Sequence, residues 1–151
     1  MTTQIKPVIR PLTKDEAETF LAQHSIGRIA LCLRERADLE PIHYVYDPPW
    51  VFGRTSLSTK LVTLAHSRWC AFETDEVRGL FDWETVVVKG PFYALNASLY
   101  KSENFERALA ALRHLIPETL TDDDPTPERD VVFGVHVSRI EGRLAVTNEP
   151  R

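Results

Sequence analysis

Apolar residues recur along this chain with two different spacings. Near the N-terminus, Ala17, Phe20 and Leu21 fall on one side of a helical wheel, the 3.6-residue period of an amphipathic helix. Thr13 precedes them, with Glu16 three residues on, the pattern of a capping box that satisfies free backbone donors. Ser25 and Gly27 break this pattern, and the spacing then changes to two. In GRIALCL, Ile29, Leu31 and Leu33 alternate with Arg28, Ala30 and Cys32, which predicts a strand with one buried face. PIHYVYD alternates in the same way, with Ile42, Tyr44 and Tyr46 against His43 and Val45. The charged RERADLE between the two runs reads as a hairpin turn.

DPP ends the second strand, because proline cannot donate to a ladder. WVFGR is then a short third strand and KLVTLAHS one or two helical turns. RWCAFETDEV and WETVVVKGPFYALN predict a fourth and a long fifth strand, with Gly90-Pro91 marking a bulge or bend in the latter. Residues 102–116 carry the clearest helical period, through Phe105, Ala108, Leu109, Leu112 and Leu115. PETLTDDDPTPERD is polar and proline-rich, and is expected to be a mobile or solvated connection. VVFGVHVSRIEGRLAV is expected as one closing strand. About six strands in hairpin-spaced groups, with three helices, predict a mainly β domain over residues 1–151: an antiparallel sheet or barrel with helices packed outside it.

Composition narrows the class without naming it. The chain has 151 residues, 43% hydrophobic and 26% charged, as in an ordinary soluble domain. A net charge of −4 argues against a general nucleic-acid binder. No apolar run approaches the roughly 20 residues of a membrane span. MTTQIKPVIRPLTKDE has no apolar leader pattern, so the expected location is the cytoplasm. Cys32 and Cys70 each sit in apolar sequence and read as buried, reduced thiols, with no zinc-ligand spacing. His24, His66, His114 and His136 are scattered and form no ligand spacing.

The stretch GRTSLSTK is the candidate chemistry. If a helix starts after it, Ser58 or Thr59 caps that helix and free backbone donors face outward. Arg54 would bind a phosphate through two donors and Lys60 as a point charge. Thr55, Ser56, Ser58 and Thr59 add hydroxyls. Ordinary capping and surface charge would produce the same letters, so the stretch alone is a weak signal.

Its place in the order of motifs is more specific. Gly27-Arg28 opens the first strand, Pro41 begins the second, and Arg54-Thr55 with Lys60 ends the third. Phe72, Glu73 and Asp75 follow, then Trp83 before VVVKG, and RIEGR from Arg139 to Arg143. Over roughly residues 10–145 this series resembles the pyridoxamine 5'-phosphate oxidase-like FMN-binding split-barrel family, in the branch related to nitroimidazole reductases. Ser58 stands where relatives often carry glycine.

The resemblance implies a six-stranded antiparallel split β-barrel that forms a homodimer, with FMN in grooves at the interface. The third-strand end and the helix after it would hold the FMN phosphate, through Arg54, Thr55, Ser56, Ser58, Thr59 and Lys60. The second and third strands would line the flavin ring, with His43 a candidate contact there or to substrate. Trp83 would pack on the partner or cover the flavin. Asp75, Glu76 and Asp82 could supply an acidic pair for proton transfer, or form a solvated turn. The flavin carries the redox chemistry, so no catalytic acid or base has to be visible, and none is assigned. The expected function is an FMN-dependent oxidoreductase using NAD(P)H to reduce a small molecule, nitro compounds among the candidates. The alternative is a non-catalytic flavin or haem binder acting as sensor or store. Oxidation of pyridoxamine phosphate itself is weaker, since no matching substrate-arginine motif stands near the C-terminus.

Overall fold

The computed structural model describes residues 6–97 and 102–148. In chain order the elements are β1 (Lys6–Pro11), α1 (Lys14–Gln23), β2 (Ile26–Leu33), β3 (Arg36–Asp47), β4 (Trp50–Thr55) and α2 (Thr59–Ala65). They continue with β5 (Trp69–Gly79), β6 (Asp82–Ala94), α3 (Phe105–Leu115), β7 (Val131–His136) and β8 (Arg139–Asn148). All pairings are antiparallel, in the order β1-β8-β6-β5-β2-β3-β4-β7, and β7 returns to pair with β6. Six strands thus close a ring, and β8 and β1 extend it from β6. Among the described residues no helix is long and apolar enough to cross a membrane.

Two long strands make the closure possible. Residues 36–43 of β3 pair with β2, and residues 44–47 pair with β4. β6 pairs with β8 as far as Lys89 and with β7 from Phe92. The change of partner falls at Gly90-Pro91, where the sequence predicts a bend. A Cβ on Gly90 would lie 1.8 Å from the carbonyl oxygen of His136. Only a residue without a side chain lets the two backbones approach so closely.

Alternation fills the ring. Ile29, Leu31, Ile42, Tyr44, Phe72, Val86, Val88, Phe92, Phe133 and Val135 are buried together. The Tyr44 and Phe72 rings meet edge to face at 4.6 Å, and Phe92 stacks on Phe133 at 5.0 Å. α1 contributes Ala17, Phe20 and Leu21, and the buried Tyr44 hydroxyl donates to the Leu21 carbonyl at 2.7 Å. The Thr13–Glu16 capping box forms as expected. α3 covers the outside of β3, β4 and β7, burying Ala108 and Leu112 against Phe52, Leu95 and Val132.

Several expectations change. The strand count is eight rather than six. The closing run divides at Val137-Ser138 into β7 and β8, whose turn donates to the carbonyls of Pro49 and Lys89. β1 hides behind two prolines and survives because it is an edge strand, pairing with β8 alone. RERADLE is not all turn: Arg34 and Glu35 make it alone, with φ of 49° and 64°, and Arg36 already belongs to β3. Its charges are those of exposed strand positions.

The polar connection after α3 is held down rather than loose. Asp124 binds the Arg54 guanidinium through both oxygens, one of them at 3.1 Å. Its carboxylate also accepts from the backbone N–H groups of Leu120 at 2.8 Å and Thr126 at 3.0 Å. Arg54 further donates to the Thr126 hydroxyl at 2.6 Å and the Arg129 carbonyl at 3.2 Å. The two charged side chains are 6% and 2% exposed. The Arg54 guanidinium, with the two backbone donors, holds the Asp124 carboxyl far below the usual carboxylate range.

Two substitutions test this frame. Gly90→Ala is expected to lower unfolding stability by roughly 1–3 kcal/mol or more, because backbone atoms must move to admit one methyl group; chemical denaturation measures it. Asp124→Ala leaves a buried arginine uncompensated and is expected to cost about 3–5 kcal/mol, while Arg54→Leu with Asp124→Leu recovers much of the loss. Equal losses in the single and double variants would contradict the pairing.

Candidate functional site

The stretch GRTSLSTK does not act as one cradle, because a strand alternates. Successive side chains of β4 point to opposite faces. Arg54 turns out beneath α3 and the connection that Asp124 anchors. Thr55 turns the other way and is fully buried, its hydroxyl donating to Glu40 Oε2 at 2.7 Å and accepting from the Leu57 N–H at 3.2 Å. Two adjacent residues expected on one phosphate are therefore committed to separate internal partners. Arg54 in particular is neutralised where it stands.

The rest of the stretch stays at the surface. Ser58 caps α2, its hydroxyl accepting from the Leu61 N–H at 3.3 Å. Its φ of −60° and ψ of 155° are ordinary extended backbone, so this position needs no glycine. Ser56, Thr59 and Lys60 are exposed. Lys60 opens on a cleft between α2 and the tip of the β2–β3 hairpin. Exposed hydroxyls and a lysine are chemistry that suits the phosphoryl end of a ligand.

A second feature is the outer face of the sheet. Cα partners put Leu39, Ala30, Ala71 and Lys89 in one row across β3, β2, β5 and β6. Arg28, Glu73 and Val87 form the next, and Val77, Trp83, Ala145 and Ile9 a further one toward β1. Several apolar side chains on this face are uncovered: Leu39 is 71% exposed, Val77 67%, Trp69 60% and Ile26 56%. His43 is exposed and pairs with Ile26. Trp83 is half-buried. His43 and Trp83 share this side of the sheet, yet β2 and β5 lie between their strands, roughly 14 Å apart at ordinary strand spacing.

Charge sits in the middle of that apolar face. Arg28 Nη1 donates to Glu73 Oε1 at 3.0 Å and lies 3.4 Å from Asp75 Oδ2. Burial pushes the Glu73 carboxyl up to about 7; the adjoining Asp75 carboxyl adds to the rise and Arg28 opposes it. Glu73 can therefore take or release a proton near neutral pH, as a general acid or base must.

Sequence reasoning singled out Asp75 with Glu76 and Asp82. The structure instead joins Asp75 to Glu73, while Glu76 and Asp82 ion-pair with Arg78. The missed signal was a carboxylate two residues from another inside an alternating strand, which puts both on one face. Arg34 and Arg36 were missed as turn residues. Cys32 is exposed rather than buried, whereas burial pushes the Cys70 thiol up to about 12.

Comparison with solved structures gives the same architecture. A FAD-binding protein from Mesorhizobium loti superposes with a TM-score of 0.72 at 19% identity, covering 93% of this chain and 99% of its own. A FAD and haem binding protein from Mycobacterium smegmatis gives 0.61 at 14% identity, over 87% and 71% of the two chains. A protein proposed to confer 5-nitroimidazole antibiotic resistance in Bacteroides thetaiotaomicron gives 0.60 at 14%, over 97% and 93%. At these identities the likeness carries the fold alone. No curated protein matches the sequence. The sequence model of the pyridoxamine 5'-phosphate oxidase family matches residues 13–144. That span runs from the cap of α1 through the ring and into β8, and on it the chain belongs to the pyridoxamine 5'-phosphate oxidase family.

Proposed function

We propose that this protein binds a flavin, FMN in the first instance, and uses NAD(P)H to reduce a small molecule, with nitro compounds as candidates. The observation that carries the reading is the uncovered apolar sheet face with Glu73 and Asp75 held against Arg28 at its centre. Monomeric proteins rarely leave large contiguous apolar patches open to water. A second copy of this chain is the proposed cover, with the flavin ring held in the groove between the two. Family membership supports this, as do the neighbouring folds described as flavin-binding.

When bound, the flavin supplies the redox chemistry and the protein supplies position and electrostatics. The apolar face of Ile26, Leu39, Ala71 and Trp69 would exclude water. Trp83, beside Val77, offers a flat surface for packing. Glu73 would hold a proton at its carboxyl near neutral pH, with Arg28 fixing its orientation. Ser56, Thr59 and Lys60 would meet the phosphoryl end.

The test begins with the absorbance spectrum of the purified protein and its melting temperature with FMN or FAD added. A flavin spectrum, or a rise in melting temperature of the kind a native-state ligand produces, is the expected result. NADPH consumption with a nitroaromatic acceptor then separates a reductase from a store. A Soret band would move the ligand to haem. A colourless protein that neither flavin stabilises would overturn the reading.

A further inference from the structure

The cleft beside Lys60 holds more charge than its neighbours use. It measures about 260 Å³ and is lined by Leu33, Arg34, Arg36, Asp38, Lys60 and Leu61. Arg34, Arg36 and Lys60 make no side-chain hydrogen bond or ion pair with any described residue. Three cations therefore face one lining carboxylate, with Glu35 exposed in the turn between the two arginines. Charges of one sign brought this close repel, and an anion between them removes the repulsion. The contrast with Arg54 is direct, since its guanidinium is closed off by Asp124.

The turn itself sets an arginine at a position where a side chain is strained. Two-residue hairpin turns with positive φ at both central positions favour Asn-Gly or Gly-Gly, because a side chain there is strained. Here Arg34 and Glu35 occupy those positions, with φ of 49° and 64°. The conformationally easy residues are absent where a long cationic side chain can reach α2. The volume is below the roughly 300 Å³ of pockets that enclose a whole small molecule, so the cleft suits one end of a ligand. Arginine's planar fork matches phosphate oxygens in pairs, and Leu33 and Leu61 give the adjoining chain of a ligand an apolar floor.

We propose that Arg34 and Arg36, with Lys60, grip the phosphoryl end of the flavin, in the role that Arg54 is expected to fill from sequence. The ligand's identity rests on the flavin reading above; the anion site stands on the cleft itself. The shared chemistry is a phosphate ester, which a monophosphate such as FMN and a diphosphate such as FAD both offer.

The experiment compares FMN, FAD and riboflavin by fluorescence titration of the wild-type protein, the Arg34→Ala/Arg36→Ala variant and the Arg34→Lys/Arg36→Lys variant. Removing both forks is expected to weaken FMN by about tenfold or more, as loss of paired charge-assisted bonds does, and to leave riboflavin unchanged. The lysine variant should recover part of the loss. Asp38→Asn should tighten FMN. Growth of the FAD loss beyond the FMN loss assigns the cleft to a diphosphate, and equal losses assign it to the flavin's own phosphate. Equal weakening of FMN and riboflavin, or none of FMN, overturns the proposal. If no flavin binds the wild type, the flavin reading fails, and calorimetry with inorganic pyrophosphate decides the cleft. Binding lost in the alanine variant keeps it as an anion site, and no binding by the wild type removes it. The arginines lie in an exposed turn, and circular dichroism with melting verifies that the variants fold.

Discussion

The molecule depends on one close approach of backbones. β6 can pair with both β8 and β7 only because it passes the carbonyl of His136 at Gly90, where no side chain intervenes. That passage lets the strand leave β8 and take up β7, which closes the ring through β4 and β3. With the ring closed, inward residues pack on one another and outward residues are sorted onto two outer surfaces. α3 covers one, across β3, β4 and β7. The other, across β2, β5 and β6, remains open among the described residues, and there the proposed site lies.

Sorting by face also explains why a contiguous motif does not make a contiguous site. Arg54 and Thr55 are neighbours in sequence, but a period of two sends one beneath α3 and the other toward Glu40. The buried Arg54–Asp124 pair then anchors a polar segment that composition alone marks as loose. A buried pair of this kind adds little net stability, since desolvation offsets the attraction. What it does here is place the segment and withdraw a cation from the surface. Charge for an external anion remains on the far side of the stretch, at Lys60, and on a hairpin tip distant in sequence from it.

Much of the ring was legible in the sequence because alternation is a local signal. GRIALCL, PIHYVYD and VVVKG read correctly, and so did the bend at Gly90-Pro91 and the capping box at Thr13. β1 was not legible, since Pro7 and Pro11 disguise a strand that only an edge position tolerates. The division of β7 from β8 was hidden because Val137 continues an apolar run while its N–H leaves the ladder for the Pro49 carbonyl. At the site, the Ser58 cap was local and readable. The partners of Arg54 and Thr55 lie 70 and 15 residues away, and no local pattern encodes such pairs. Glu73 is legible in the sequence only as part of a motif, because its perturbation arises from the neighbours that β2 and β5 bring together.

The central claim is that the open sheet face closes on a second copy of the chain and holds a flavin between them. Sedimentation velocity followed at the flavin's visible absorbance, alongside the protein signal, tests both parts at once. The account predicts that flavin absorbance sediments with a two-chain species, and that a charge placed on the face, as in Ala71→Glu, releases flavin and dimer together. Flavin sedimenting with a single chain, or a dimer that survives Ala71→Glu with its flavin intact, would contradict it.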